Sequence, residues 1–403
     1  MPAGTVEPAA LRIRRVSGDE RLRTSFPLQS YAFDKSPTEQ AVSAHYRDVL
    51  PYHSGNHTLI AEENGATVAA VSGIPMRQNV RGSILPMAGV AGVATHPLAR
   101  RQGYVRALLN RLLEAMRDDG HPVSVLYPFR TSFYARFGYV SLPQHRSATF
   151  SPAGLGDLAR AALPGDLRWR RIADGYADHR ALTQRLMARQ HGFSIFPDFR
   201  AVSLRDDRKW VVTAHVDGQV VGALPYRIDD HLGELSADTL LHTGPHGRAL
   251  LLSFLARHVD QVDRVKLWLL PGETPELWAD DLAVETKTDV RVPGSAAPMA
   301  RVLSLDGLEG IPAGPAALTV DVVDDPLLAG RYHLDGTSGA LAVERSTAPA
   351  AATLTAAGLS ALVYGVLDPV EIVLRRLGRF PAEAAEALRE LFPPQRPYVY
   401  AEF

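Results

Sequence analysis

The sequence predicts an α/β chain, α+β in its last part, built from three units of which the second repeats the first. Three observations predict this. A series of hairpin, third strand, turn and helix occurs twice, once before residue 150 and once after it. Two stretches rich in Gly, Ala and Pro, 150–166 and 292–298, interrupt the pattern where boundaries are expected. The remainder alternates short strands with helices of its own. The expected units are therefore 1–150, 151–292 and 293–403, a reasonable division of 403 residues.

The elements follow in order. Apolar runs at 57–61 and 67–71 flank Asn64-Gly65, the strongest short hairpin signal, because both central turn residues need positive φ. A run of small and β-branched residues at 87–94 reads as the next strand, and a polar turn follows. Val105, Leu108, Leu109, Leu112 and Met116 then share one helical face, and Gly120 is placed to cap it. Residues 123–127 read as a strand, and 131–137 as a short helix stopped by Gly138. In the second unit 176–190 is helical, 210–216 and 219–226 form a hairpin about Asp217-Gly218, and 233–241 is a strand. The turn Thr243-Gly244-Pro245-His246-Gly247 leads into a helix at 248–259. In the third, Leu318, Val320 and Val322 alternate with Thr319 and Asp321, as in a half-buried strand. Short strands are expected at 332–334 and 340–343, and helices at 359–364 and 382–391.

Composition excludes several function classes. With 43 basic and 44 acidic residues the net charge is -1, so the basic excess of a nucleic-acid protein is missing. The absence of cysteine excludes a disulfide framework, a thiolate metal site and a cysteine nucleophile. No apolar run is long enough to span a membrane, and the charged start lacks the apolar core of a secretory signal. A cytoplasmic protein without a metal, a nucleic-acid partner or a membrane partner is expected. The ending Tyr400-Ala401-Glu402-Phe403 is too aromatic for a solvated tail and reads as a docked segment.

The informative stretch is Val90 to Arg106, where a strand, a tight basic turn and a helix start follow one another. A helix start presents unpaired N–H groups and partial positive charge, which suit an anion. Arg100 and Arg101 add donors suited to phosphate, and Gly103 allows close approach of backbone to ligand just before Tyr104. The dinucleotide and Walker glycine patterns are both absent. A phosphate or pyrophosphate is expected here, whether from ATP, a dinucleotide or coenzyme A.

Arg100-Arg101-Gln102-Gly103-Tyr104-Val105 resembles the pyrophosphate motif of GNAT N-acetyltransferases, with Val105 in place of the last small residue. Phe133-Tyr134-Ala135-Arg136-Phe137-Gly138-Tyr139 resembles the segment carrying their catalytic tyrosine. In length and three-part plan the chain resembles the Eis (enhanced intracellular survival) subgroup. That resemblance implies tandem GNAT domains, the second degenerate, followed by a sterol-carrier-protein-like domain. It implies acetyl-CoA as co-substrate, with the backbone of Val93 and Thr95 on its pantetheine arm. Arg100, Arg101, Gly103 and the helix start at Tyr104 would take the pyrophosphate. Tyr134 would be the general acid and the C-terminal carboxylate of Phe403 the general base. Many GNAT enzymes carry a glutamate on the strand before the turn, but 87–95 holds no acid, so His96 is a second candidate base. The implied acceptor is a small-molecule amine, such as an aminoglycoside or polyamine, or a lysine side chain, with Asp34 and Glu402 as candidate acidic contacts. The implied assembly is a homo-hexamer, a dimer of trimers. Two further readings are a lipid- or small-ligand-binding protein with vestigial GNAT domains, and a regulatory protein-lysine acetyltransferase.

Overall fold

Asn64 and Gly65 take φ of 52° and 77°, the left-handed pair that a two-residue hairpin of twisted strands demands. Asp217 and Gly218 repeat it at 50° and 76° in the second unit. The computed structural model describes residues 11–34, 38–292 and 295–403. Residues 1–10 of the charged start and Pro293-Gly294 of the second expected linker lie outside the described residues.

The first unit runs β1 (Arg12–Val16), α1 (Ser25–Phe33), α2 (Glu39–Val49), β2 (His57–Glu63), β3 (Ala66–Val80), β4 (Ser83–Thr95), α3 (Tyr104–Asp118), β5 (Val123–Leu126), α4 (Thr131–Ala135) and β6 (Val140–Ser141). The second runs β7 (Arg146–Phe150), α5 (Gly156–Arg160), β8 (Asp166–Arg171), α6 (Ile172–Met187), β9 (Ser194–Ile195), α7 (Asp198–Ala201), β10 (Trp210–Val216), β11 (Gln219–Ile228), β12 (Glu234–Thr239), β13 (Leu241–His242), α8 (Pro245–Ala256), β14 (Arg264–Leu269) and β15 (Val284–Thr288). The third runs β16 (Met299–Val302), β17 (Ala317–Val323), β18 (Gly330–Asp335), β19 (Ala342–Arg345), β20 (Ala352–Thr355), α9 (Ala356–Tyr364), α10 (Pro369–Leu374), β21 (Gly378–Arg379) and α11 (Ala382–Leu391).

Two large sheets correspond strand for strand. The first has the order β1-β2-β3-β4-β5-β16-β6, and the second β8-β10-β11-β12-β14-β7-β15. Each holds a parallel pair at the same place, β4 with β5 and β12 with β14. Each also takes one inner strand from across an expected boundary. β16, beyond residue 292, pairs β5 and β6, while β7, before residue 151, pairs β14 and β15. The units therefore interlock by their strands. The third sheet, β19-β18-β17-β20-β21, is smaller.

Alternation along β4 and β5 sends side chains to both faces of the first sheet. Ala88, Val90 and Leu126 pack with Leu108, Leu109 and Leu112 of α3. Met87, Val123 and Val125 pack instead with Leu359, Leu362 and Leu388 of the third unit. Every residue of α9 is buried, as expected of a helix apolar on all sides.

The β3–β4 turn ties the three units together. Arg81, buried at its tip, donates to the carbonyls of Val363, Leu362 and Pro393 at 2.7, 2.8 and 2.9 Å. Its own N–H donates to His191 Nδ1 at 3.0 Å, and His191 Nε2 donates to the Tyr364 carbonyl at 3.1 Å. Both ring nitrogens are thus used by the neutral imidazole, and burial pushes its pKa down to about 4.

Candidate functional site

β4 pairs with β5 only over Met87–Val90, then runs on to Thr95 against β3 alone. The two parallel strands therefore part. On the β3 side the register shifts, so that Gly92 and Val93 stand opposite Val71 in a bulge. Gly92 holds φ of 59°, and a Cβ there would lie 2.3 Å from the Gln29 side-chain nitrogen. Only glycine fits this position. The Gln29 amide donates to the Gly92 carbonyl at 3.1 Å and fixes the bulge. Val93 has no partner in the register with β3 or with β5, at the parting of the strands.

After Thr95 a short 3-10 turn, Pro97–Ala99, leads to α3. His96 Nδ1 accepts from the Leu98 N–H at 3.3 Å, so this exposed ring caps the turn. Gly103, the N-cap of α3, has φ of 89°, and no side chain caps the helix. Nothing would meet a Cβ at Gly103 within 4 Å, and no side chain satisfies the first N–H groups of the helix. Arg100 and Arg101 are exposed beside them, and neither forms an ion pair among the described residues. Tyr104 opens the helix with its ring buried and its hydroxyl donating to Gln102 Oε1 at 2.9 Å.

Tyr134, on α4, is 3% exposed and belongs to the same apolar cluster as Val93 and Tyr104. Phe129, Phe133 and Tyr139 meet its ring edge-on at centroid distances of 5.5, 5.0 and 6.2 Å. Burial holds its phenol well above the ordinary tyrosine range, so it stays protonated. Among the described residues its hydroxyl has no hydrogen-bond partner, which leaves the proton uncommitted.

The last residues return to this region. The Tyr398 N–H donates to the His191 carbonyl at 2.9 Å, and Tyr400 stacks on Phe193 at 4.7 Å. Gly192 permits the approach, since a Cβ there would lie 2.5 Å from the Tyr398 nitrogen. The Tyr127 hydroxyl, one residue beyond β5, reaches the carbonyls of Val399 and Ala401, both at 3.4 Å. The Phe403 ring meets Tyr127 edge-on at 5.6 Å and lies 3.0 Å from the Cβ position of Gly89 on β4. The C-terminal residue therefore sits where β4 and β5 begin to part.

Beside this segment lies a cavity of about 370 Å³, within the size range of ligand sites. Glu402 lines it, with its carboxylate 3.4 Å from His145 Nδ1. Asp34 is not among the lining residues. It ends α1, exposed, and accepts from Ser30 at 2.7 Å. A second cavity, about 340 Å³, is lined by Arg106 of α3, Arg136 after α4, and Asp324 and Asp325 of the third unit.

The corresponding place in the second unit is closed. β12 and β14 stay paired to Thr239 and Trp268, and the Leu240 N–H donates to the Trp268 carbonyl at 2.9 Å. Gly247, in the first turn of α8, is pressed so closely on Val221 that a Cβ would lie 2.2 Å from its carbonyl oxygen. Arg248 is already paired with the buried Glu273 at 3.1 Å.

Of the residues singled out in the sequence, Val93, Thr95, Arg100, Arg101, Gly103 and Tyr104 form one continuous strand-turn-helix. Tyr134 shares their core, whereas Phe403 packs on the core at the opposite face of the first sheet, against Gly89 and Tyr127. Sequence reasoning missed Tyr127, His145, Lys209, Asp238 and Trp268, because no local spacing links them. The aromatic run Tyr398 to Phe403 was the only trace of the cavity wall.

Residues 12–141 match the acetyltransferase (GNAT) domain family, and 306–400 match the sterol carrier protein domain family. A 65-residue stretch is 40% identical to the N-acetyltransferase Eis of Mycobacterium tuberculosis, a match spanning 16% of either chain. An uncharacterized N-acetyltransferase of Streptomyces coelicolor is 28% identical over 75% of this chain and 77% of its own. Among solved structures, a GCN5-related N-acetyltransferase from Kribbella flavida has a TM-score of 0.82 at 23% identity, covering 98% of this chain and 99% of that one. Eis1 from Mycobacterium abscessus has a TM-score of 0.74 at 19% identity, covering 98% and 100%. Residues 12–141 thus match the GNAT acetyltransferase domain and 306–400 a sterol carrier protein domain, and the chain is similar to Eis N-acetyltransferases over a short stretch of sequence and in fold.

Proposed function

We propose that this chain is an acetyl-CoA-dependent N-acetyltransferase that acts on a primary amine. The observation that carries the reading is a convergence. The uncapped basic start of α3 and the buried Tyr134 lie on one face of the sheet at the parting of β4 and β5, and Phe403 docks against Gly89 at that parting from the other face. Acetyl-CoA fits the residues present. A bulge leaves Val93 beside Thr95 without a register partner, no side chain caps the N–H groups from Tyr104 onward, and Arg100 and Arg101 supply charge for a pyrophosphate.

The chain's own groups then divide the work. The carboxylate of Phe403 accepts the proton that the attacking amine must lose. An α-carboxylate has a pKa of only about 3.5 in water, so its partly buried position is what suits it to the role. Tyr134 gives its proton to the departing thiolate, and burial keeps it in the acid form. His96 is occupied as a turn cap, which favours Phe403 as base. The second GNAT-like unit binds no acetyl-CoA, since its strands stay closed and its helix-start arginine is paired. A lipid-carrier role is disfavoured, because α9 and its apolar neighbours fill the third unit with side chains. Assembly as a hexamer of two trimers belongs to the same reading, and light scattering of a monomer would count against it.

The test is titration calorimetry with acetyl-CoA, followed by coenzyme A release with a panel of amines and a lysine peptide. The chain has no cysteine, so a thiol reagent reports coenzyme A without background. One site per chain and amine-dependent release are expected. No binding, or release that no amine accelerates, sinks the reading. Release with the peptide alone would move it to regulatory lysine acetylation.

A further inference from the structure

Tyr134 sits on a helix that cannot hold its own place. α4 has five residues, and no side chain caps its N-terminus at Arg130. A helix that short is not stable alone, so its surroundings must fix it. One side gives little support, because Phe133, Arg136 and Phe137 border the cavity of about 340 Å³ whose far wall is the 324–327 turn of the third unit.

The hold is at its C-terminal end. The Phe137 N–H donates to the Tyr134 carbonyl at 2.9 Å, and Gly138 stops the helix with φ of 78°. A Cβ at Gly138 would lie 2.7 Å from that of Ala356, so glycine lets α9 come close here. The Phe137 carbonyl accepts from Arg301 Nη1. Arg301 lies on β16, the strand that the third unit lends to the first sheet, and it is 2% exposed. The rest of its fork is also committed. Nε donates to the Val302 carbonyl at 3.0 Å, and Nη2 donates to both oxygens of Asp325 at 3.0 Å. Asp325, itself buried, accepts the N–H groups of Leu327 and Leu328 at 3.0 and 3.1 Å. A buried pair satisfied in this way keeps one geometry. The guanidinium also stands 6.0 Å from the centre of the Tyr139 ring, which meets Tyr134 edge-on.

Resting on the acetyltransfer reading, in which Tyr134 is the acid, we propose that Arg301 is a positioning residue for the reaction, with Asp325 as its counter-ion. It acts through Phe137 and Tyr139 to set where the Tyr134 hydroxyl points. The third unit therefore serves the first unit's acid as well as supplying Phe403.

The test is coenzyme A release by the full chain carrying Arg301→Met with Asp325→Asn, or Arg301→Lys alone. The double change removes both charges together and leaves neither stranded, while asparagine still accepts from Leu327 and Leu328. Lysine keeps a cation beside Asp325 but puts one ammonium in place of the fork, and it decides the matter should the double variant not fold. In both, kcat should fall about 10- to 100-fold, the cost of a small misplacement, with the KM for acetyl-CoA unchanged. In a Tyr134→Phe background the same changes should lower kcat by less than about threefold further, because the group they position is already gone. A kcat within about threefold of wild type for Arg301→Lys, or an equal fall in both backgrounds, overturns the inference and leaves acetyltransfer intact. If Tyr134→Phe alone leaves kcat unchanged, or no amine accelerates release, the inference and the reading beneath it fall together.

Discussion

Tyr134→Phe separates chemistry from packing cleanly. The ring is buried among Phe129, Phe133 and Tyr139, and phenylalanine keeps every one of these contacts. The hydroxyl has no partner among the described residues, so its removal breaks no hydrogen bond there. The stability change should stay within about 0.5 kcal/mol, the range of substitutions that remove no named interaction. The catalytic change should be far larger. A positioned acid typically contributes about 10²–10⁴-fold, which is about 2.7–5.4 kcal/mol of barrier. The assay is steady-state coenzyme A release at saturating acetyl-CoA, beside calorimetric acetyl-CoA affinity and thermal melting of the same samples. We expect kcat to fall by that factor while affinity and melting temperature hold. Because burial raises the phenol above its ordinary pKa of ~10, the wild-type rate should show no loss from tyrosine ionisation up to pH ~10. A variant with kcat within about threefold of wild type would refute the acid role, since three-fold lies well below that contribution. A variant whose melting temperature collapsed would refute the claim that the hydroxyl is uncommitted.

Extending the chain by one glycine after Phe403 keeps the ring but moves the carboxylate by up to about 3.5 Å. The kcat should drop by about 10²-fold or more, and activity within threefold of wild type would exclude the terminal carboxylate as base. Arg81→Met takes the guanidinium from the carbonyls of Val363, Leu362 and Pro393 and strands the buried Val363 carbonyl. The loss should be about 2–4 kcal/mol in urea unfolding, and a change below about 0.5 kcal/mol would show that the turn is no clamp. His179 and His191 are held neutral by burial, each with its pKa lowered from 6.5 to about 4. As pH falls below 6.5 the unfolded chain takes protons at these sites and the folded chain does not. Stability present above pH 6.5 should therefore drain between pH 6.5 and 4, on the order of 3 kcal/mol per group. A flat urea midpoint across that window would contradict the burial. Arg100→Ala and Arg101→Ala should each weaken acetyl-CoA about tenfold with little change in kcat, and unchanged affinity in both would move the pyrophosphate elsewhere.

Much of the local structure was legible because its causes are local. The Asn64-Gly65 and Asp217-Gly218 turns, the α3 face from Val105 to Met116 and the stop at Gly138 need only near neighbours to form. Three helices start earlier than expected, α6 at Ile172, α9 at Ala356 and α8 at Pro245, the last because proline suits the first helical position and loses no hydrogen bond there. The candidate anion site could be read for the same reason, being a contiguous run from Val93 to Tyr104. The bulge at Gly92 was not, since it depends on Gln29, which lies 63 positions earlier in the chain.

The sequence by itself determined the repeat, the basic helix start and the candidate acid, all properties of residues a few positions apart. The tertiary structure alone decided what joins them. It exchanged β7 and β16 between the sheets, plugged Arg81 into the third unit, and closed the strands of the second unit that stay open in the first. It also threaded Tyr398 to Phe403 past Gly192 and Tyr127 to the parting of β4 and β5. Apart from the closed strands of the second unit, these contacts pair residues more than a hundred positions apart. They depend on complementary shape and on buried polar groups finding partners, and neither leaves a periodic mark in the chain.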